Sequence, residues 1–270
     1  MNISSKEFNQ LADLIRKNYG INLGSQKKIM LIGRLQNILE EHHLKNFDEY
    51  YQYILSDTTG SAASLLVNKI TTNHTFFMRE AEHFNYFKEK LMPYFKSSIP
   101  DRDFCVWSAG CSSGEEPYTL AMIVDEFFGN QKASWNTKIL ATDISSKVLE
   151  IAARGVYSNE QVEHLPDKWQ SNYFRKLDDE KSILIDKIRN EVIFRRLNFM
   201  DPVFPFRKRF HVIFCRNVMI YFDTATKKDL IEKFYSLNEP GGYLFIGRSE
   251  TINRDESKYV CVAPSVYRKG

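Results

Sequence analysis

The first eighty residues place their apolar positions at helical spacing and hold no run that reads as a strand. Phe8, Leu11 and Ile15 share one face of a first helix. Ser4 and Glu7 stand at capping-box spacing at its start, and Gly20 suits its end. A second helix, with Ser25 as its expected cap, carries Ile29, Leu31, Ile32, Leu35, Ile38 and Leu39. Residues 47–55 and 62–70 form two shorter helices. From residue 104 the pattern changes to short apolar runs alternating with helical stretches. Runs at 104–107, 139–142, 192–194, 212–215 and 243–246 read as strands. Helical patterns at 117–128, 147–153 and 225–237 lie between them, with Ser145 capping the second of these. Residues 259–260 and 266–267 suit a closing hairpin. Strands alternating with helices predict a parallel sheet covered on both faces. The expected organisation is α/β: a small helical domain over residues 1–80, then a sheet domain over 81–270. Two strand-like runs, 182–185 and 191–194, suggest a small β insertion at about 173–196.

In such a sheet a ligand sits beyond the carboxyl ends of the strands. The first strand is followed by Ser108-Ala109-Gly110-Cys111-Ser112-Ser113-Gly114-Glu115-Glu116-Pro117, the second by Asp143, the third by Asn198 and the fourth by Arg216-Asn217. Gly110 and Gly114 permit a tight turn, and Pro117 suits a first helical turn. The glycines are four apart, so the turn is not a dinucleotide fingerprint, and by itself it reads equally well as an ordinary strand–helix connection. An acid ending the next strand, placed to accept from ribose hydroxyls, tips the reading toward a nucleoside. Two carboxylates at a helix start would repel a pyrophosphate, which that position otherwise favours. A cationic nucleoside without phosphate, S-adenosylmethionine, fits better.

The overall balance adds little field of its own. A formal net charge of +3 does not imply nucleic-acid binding. The hydrophobic share of 43% is that of a globular chain with a sizeable core. Cys105, Cys111, Cys215 and Cys261 form no zinc spacing, so no metal is expected. They read as thiols in a reducing compartment. No signal-peptide core opens the chain and no stretch approaches a membrane span, so the protein is expected to be cytoplasmic.

Four motifs, in order, resemble those of the chemotaxis receptor methyltransferase family (CheR). They are Thr71-Thr72-Asn73-His74-Thr75-Phe76-Phe77-Met78-Arg79-Glu80, the glycine turn through Tyr118, Ala141-Thr142-Asp143-Ile144, and Cys215-Arg216-Asn217-Val218-Met219-Ile220-Tyr221-Phe222. The departures are Met78 before the arginine and the Gly110-Cys111 pair. The resemblance implies a class I S-adenosylmethionine methyltransferase sheet, a helical N-terminal receptor-docking domain and a β subdomain. It also implies methyl transfer from S-adenosylmethionine to glutamates of chemoreceptor helices, giving methyl esters and S-adenosylhomocysteine. By position it implies cofactor contacts at Asn73, Thr75, Arg79, Glu115, Asp143, Asn198, Phe199, Arg216 and Asn217. Arg79 and Tyr221 match residues facing the reacting centre, and Glu116 could exchange with Glu115. Phe76 and Phe77 are expected to pack between the domains or wall the site. Lys27, Lys28 and Arg34 on the second helix are candidate docking cations, since Lys27 and Arg34 lie two turns apart on one side. The chain is expected to act as a monomer.

Two rival readings have different signatures. Amino-directed nucleic-acid methyltransferases usually carry Asn/Asp-Pro-Pro-Tyr/Phe after the fourth strand, where this chain has Arg216-Asn217-Val218-Met219. Arg207-Lys208-Arg209 is basic but leads into a strand, and reads as a solvated loop. A non-catalytic S-adenosylmethionine sensor would not need both Arg79 and Tyr221.

Overall fold

The computed structural model describes residues 2–71, 73–253, 255 and 257–270. Thr72 of the first motif lies outside the described residues. The N-terminal helices are α1 (Ser5–Tyr19), α2 (Lys28–Glu41), α3 (Phe47–Ser56) and α4 (Ser61–Ile70). The Ser4–Glu7 capping box forms as expected, and Gly20 ends α1 in the left-handed conformation at φ 71°. Ser25 does not cap α2: Ser25–Lys27 is a 3-10 turn, and α2 starts at Lys28 with no side-chain cap. After a connecting segment come α5 (Ala81–Tyr86), a single π turn over Phe87–Leu91, and α6 (Met92–Ser98).

The sheet region then runs β1 (Val106–Ala109), α7 (Glu115–Phe128), β2 (Ile139–Asp143), α8 (Ser146–Arg154), β3 (Val156–Ser158), α9 (Asn159–Glu163), α10 (Asp167–Tyr173), β4 (Phe174–Lys176), β5 (Lys181–Leu184) and α11 (Asp186–Arg189). It continues with β6 (Val192–Arg196), β7 (Phe210–Cys215), α12 (Thr224–Leu237), β8 (Asn238–Ile246), β9 (Tyr259–Ala263) and β10 (Val266–Lys269). Ser145 caps α8, donated to by the Val148 N–H at 3.3 Å. The main sheet has seven strands in the order β6-β2-β1-β7-β8-β10-β9. The first five are parallel; β10 and β9 close it as an antiparallel hairpin.

The β insertion lies earlier than the sequence suggested. Its sheet is β3-β5-β4, all antiparallel, and so spans residues 156–184. The run at 191–194 belongs instead to β6, which pairs with β2 from Ile139↔Val192 to Asp143↔Arg196. The charged stretch Asp186–Arg189 is a helical turn between the two sheets.

Alternation along the central strands divides the core. Val106, Val212, Phe214 and Phe245 face a cluster with α5, α6, α7 and the small sheet. Trp107, Ile213, Cys215, Leu244 and Ile246 face a cluster with α12 and the N-terminal helices. The helical segment thus shares a hydrophobic core with one sheet face, and this sets it against the carboxyl ends of the strands.

Candidate active site

The glycine turn is shaped by close approach. Gly110 sits at φ 84°, and a Cβ there would lie 2.5 Å from Val218 Cγ2. The N–H groups of Gly110 and Cys111 both donate to the Thr142 carbonyl, at 2.7 and 2.9 Å, which folds the turn over the end of β2. The Asp143 carboxylate is then held from both sides: Ser112 N–H donates to Oδ2 and Ser145 N–H to Oδ1, each at 2.9 Å. Burial nevertheless pushes its pKa above the usual carboxylate value.

Only one of the two acids at the start of α7 faces the cavity formed here. Glu116 lines it, accepting from Ser108 Oγ at 2.7 Å and from Arg216 Nη1 at 3.0 Å. Burial raises its pKa, although Arg216 opposes this. Glu115 is buried on another side of the helix, bonded to Ser113 Oγ at 2.7 Å and Gln161 Nε2 at 3.3 Å. Consecutive helical positions point about 100° apart, so Glu116 and not Glu115 lines the cavity.

Arg216 is the hub of the opposite wall. Its side chain is 2% exposed and reaches Glu116, Glu80 Oε2 at 3.1 Å and the Arg79 carbonyl oxygen, while its guanidinium lies over Phe84. Glu80 also accepts from Asn217 Nδ2 at 3.2 Å and the Arg248 N–H at 3.3 Å. Burial works against its charge, but Arg216 and these donors outweigh it and lower its pKa. His83 beneath it is desolvated and next to Arg216, which takes its pKa down to about 4 and keeps it neutral. Glu250 accepts from the N–H groups of Asn217, Gly247 and Ile220 at 2.9, 2.6 and 3.1 Å. Met78, Glu80, Ser112 and Asn217 all adopt positive φ, between 49° and 59°, so the loops meeting here store backbone strain against this network. Sequence reasoning missed Glu80, Ser108 and Glu250. Glu80 closes the first motif, and Glu250 follows the fifth strand, one strand beyond those whose carboxyl ends were considered.

The remaining candidates converge on the same cavity. Asn73, Thr75, Arg79, Asn198, Phe199, Asn217 and Tyr221 all line it. Ser112 Oγ donates to the Asn73 carbonyl at 3.0 Å, tying the inter-domain segment to the glycine turn. Arg79 Nη1 donates to the His74 carbonyl at 2.6 Å. The Asn198 amide is braced, donating to the Asn18 carbonyl at 2.8 Å and accepting from Met200 N–H at 3.1 Å. The Asn22 N–H donates to the Tyr221 carbonyl at 2.7 Å beside an Ile21↔Phe222 bridge, so the loop between α1 and α2 grips the chain at Tyr221. Lys27 also lines the cavity, its Nζ 5.3 Å from the Tyr221 ring centroid.

The docking cations therefore divide. Lys27 ends the 3-10 turn ahead of α2 and lines the cavity, whereas Arg34 lies on α2 and turns toward α4. Arg34 Nη1 donates to the carbonyls of Lys69, Ile70 and Thr71 at 3.3, 2.7 and 3.2 Å, serving the C-terminal end of α4, so it is not a solvated docking cation. Phe77 packs edge-on against Tyr157 and Phe174 of the small sheet, whereas Phe76 is 46% exposed at the cavity mouth rather than buried between domains.

The donor set suits S-adenosylmethionine. Asp143 keeps lone pairs for ribose hydroxyls, Glu116 offers a carboxylate to an ammonium, and the buried Arg216 Nε has no partner among the described residues and can donate to a carboxylate. Five parallel strands closed by a reversed hairpin, with these groups at their carboxyl ends, define a class I S-adenosylmethionine-dependent methyltransferase.

Comparison with known proteins places it further. Residues 73–267 match the CheR methyltransferase SAM binding domain and residues 6–71 the CheR methyltransferase all-alpha domain. A chemotaxis protein methyltransferase of Borreliella burgdorferi is 40% identical, the alignment covering 100% of this chain and 96% of that one. Chemotaxis protein methyltransferase 1 of Pseudomonas aeruginosa is 33% identical over 99% of both chains. The chemotaxis protein methyltransferase of Escherichia coli is 32% identical over 98% and 91%. The chain belongs to the CheR methyltransferase family and is an S-adenosylmethionine-dependent methyltransferase. None of the described helices is long and apolar enough to cross a membrane.

Proposed function

We propose that this protein methylates glutamate side chains on the cytoplasmic helices of chemoreceptors, giving glutamyl methyl esters. The observation that carries this reading is the charge at the cavity mouth. Arg79 and Lys27 both line the cavity, Lys27 beside the Tyr221 ring, and among the described residues neither is paired with a carboxylate, whereas the buried Arg216 is paired with two. Such a mouth draws in an anionic acceptor.

Bound S-adenosylmethionine supplies the electrophilic methyl group of its sulfonium. On this reading Asp143 holds the ribose, Glu116 the ammonium and Arg216 the carboxylate, with Asn73, Thr75, Asn198, Phe199 and Asn217 completing the cofactor wall. Arg79 orients the acceptor carboxylate through its fork of donors. A glutamate, with pKa about 4.3, arrives already ionised, so no general base is needed. Attraction between the ionised acceptor and a cationic donor strengthens as the mouth is covered and water leaves. Tyr221 aligns the reacting groups. Tyr221→Phe therefore lowers turnover at least about tenfold while affinity for S-adenosylhomocysteine stays within about threefold. Equal losses in kcat and affinity would make Tyr221 a cofactor ligand instead.

The helical segment at residues 1–80 is assigned to docking, with Lys28 as a candidate cation and Lys27 lining the cavity. Part of the family, by the resemblance, grips a C-terminal receptor tether as an added strand on the β subdomain. In this chain β4 and β5 are joined by a tight acidic turn in which Asp178 Oδ1 accepts from the N–H groups of Glu180 and Lys181, at 2.8 and 2.7 Å. Charge and compactness discourage strand addition there. Removing the receptor's last residues should leave kcat/KM within about twofold; a several-fold fall, or micromolar binding of the isolated tail peptide, would show tether dependence.

The reading itself is tested by incubating the protein with labelled S-adenosylmethionine and receptor cytoplasmic fragments. Label should appear on glutamates and vanish when those glutamates are replaced by alanine. Labelling that survives those replacements, or tight salt-dependent methylation of nucleic acid, would contradict it.

A further inference from the structure

The β insertion touches the site from outside the cavity. Gly155 ends α8 in the left-handed conformation at φ 62°, and the chain turns directly into β3, whose middle residue Tyr157 is buried. Strand pairing fixes this residue, with Tyr157 opposite Ser182 on β5. Its hydroxyl donates to the Ser113 carbonyl at 2.8 Å, inside the glycine turn. Burial raises its pKa well above the usual tyrosine value, so the hydroxyl remains a donor. The approach is close enough that a Cβ on Gly114 would lie 3.0 Å from the Tyr157 hydroxyl oxygen. The ring of Tyr157 also meets Phe77 edge-on, with centroids 4.8 Å apart. Phe77 lies two residues before Arg79, with only Met78, at φ 59°, between them. Arg79 lines the cavity and Tyr157 does not.

We propose that Tyr157 is a positioning residue for methyl transfer: its hydroxyl sets the glycine turn against the cofactor, and its ring sets the segment that carries Arg79. The turn and that segment are already joined where Ser112 Oγ donates to the Asn73 carbonyl. Tyr157 adds a second attachment between them, and two attachments fix an angle that one leaves open. Ser113 stands between Ser112, whose N–H holds Asp143, and the first turn of α7, which carries Glu116. Displacing Ser113 therefore moves the groups assigned to the ribose and the ammonium. Phe77 transmits instead to Arg79, and a misplacement of about 1 Å at a reacting group costs about a hundredfold in rate. The insertion thus serves the site with nothing bound to its own edge.

The acceptor arm of the test rests on the reading that receptor glutamates are methylated; the cofactor arm does not. Tyr157→Phe keeps the ring and loses the bond to Ser113. It should weaken S-adenosylhomocysteine binding about fivefold, the scale of one hydrogen bond, while kcat on receptor fragments at saturating S-adenosylmethionine stays within about twofold. Phe77→Leu keeps the hydroxyl bond and loses the edge-on contact. It should do the reverse: kcat falls at least about tenfold, and S-adenosylhomocysteine affinity stays within about threefold. A role in stability alone would lower the thermal midpoint of both variants without this split, and would overturn the proposal. Unchanged S-adenosylhomocysteine affinity in folded Tyr157→Phe protein would also overturn it, as would Phe77→Leu protein with kcat unchanged or with kcat and affinity reduced equally. If wild-type protein labels no receptor fragment, the function reading fails, and the affinity of Tyr157→Phe protein still decides the role of the hydroxyl.

Discussion

Replacing Arg216 with methionine lowers the unfolding free energy by about 3–5 kcal/mol and abolishes cofactor binding, because it breaks a buried charge network from its centre. The guanidinium, 2% exposed, faces two carboxylates, Glu80 and Glu116, and also holds the Arg79 carbonyl. Without it Glu116 keeps the burial that already raises its pKa and loses the opposing charge. Its pKa then rises further, which weakens its attraction for an ammonium ligand. Glu80 loses the partner that holds its pKa down, and with it the anchor for the strained segment at Met78 and Glu80. Urea unfolding with and without S-adenosylhomocysteine checks both parts. A loss below about 1 kcal/mol with cofactor stabilisation intact would mean that the network is incidental.

Asp143→Ala is expected to weaken S-adenosylhomocysteine binding by at least about 1.5–3 kcal/mol, the scale of a hydrogen bond to a charged group. The structure adds a second contribution, since the same carboxylate accepts the N–H groups of Ser112 and Ser145 that shape the turn. Removing it loosens the loop as well as the ligand contact. A pH signature accompanies this. Burial raises the pKa of Asp143, and cofactor binding uses its ionised form, so affinity in the wild type should fall at a higher pH than an ordinary aspartate would allow as acid is added. Calorimetric titration across pH measures this; unchanged affinity in a folded Asp143→Ala protein would remove Asp143 from the site.

What the sequence disclosed and what it hid follow one physical line. Helices with clear caps and long apolar faces, such as α1 and α8, were legible because the signal is local. So were the parallel strands, whose burial on both faces leaves continuous apolar runs. The small sheet was displaced because β3 and β4 are three residues each, too short to carry a period, and because the run at 191–194 looks like a strand whichever sheet it joins. Cavity-lining positions at strand ends, Asp143, Asn198, Arg216 and Asn217, were legible from topology alone. Choices that depend on the rotation of a helix were not. Glu115 and Glu116 are adjacent, and only packing against the insertion decides which turns inward. The i, i+7 spacing of Lys27 and Arg34 suggested a shared side of one helix, but α2 starts only at Lys28, and Lys27 meets the cavity while Arg34 meets the end of α4. Glu80 and Glu250 act by bracing other loops, and such roles leave no pattern along the chain.

The central claim is that this cavity joins a methyl group to a carboxylate oxygen with no base taking a proton. The chemistry of the product tests it most directly. Receptor fragments labelled by the wild-type protein should release the label as volatile methanol under mild alkali, as an ester does. Label that stays on the protein in alkali would mark transfer to nitrogen or sulfur and would contradict the account.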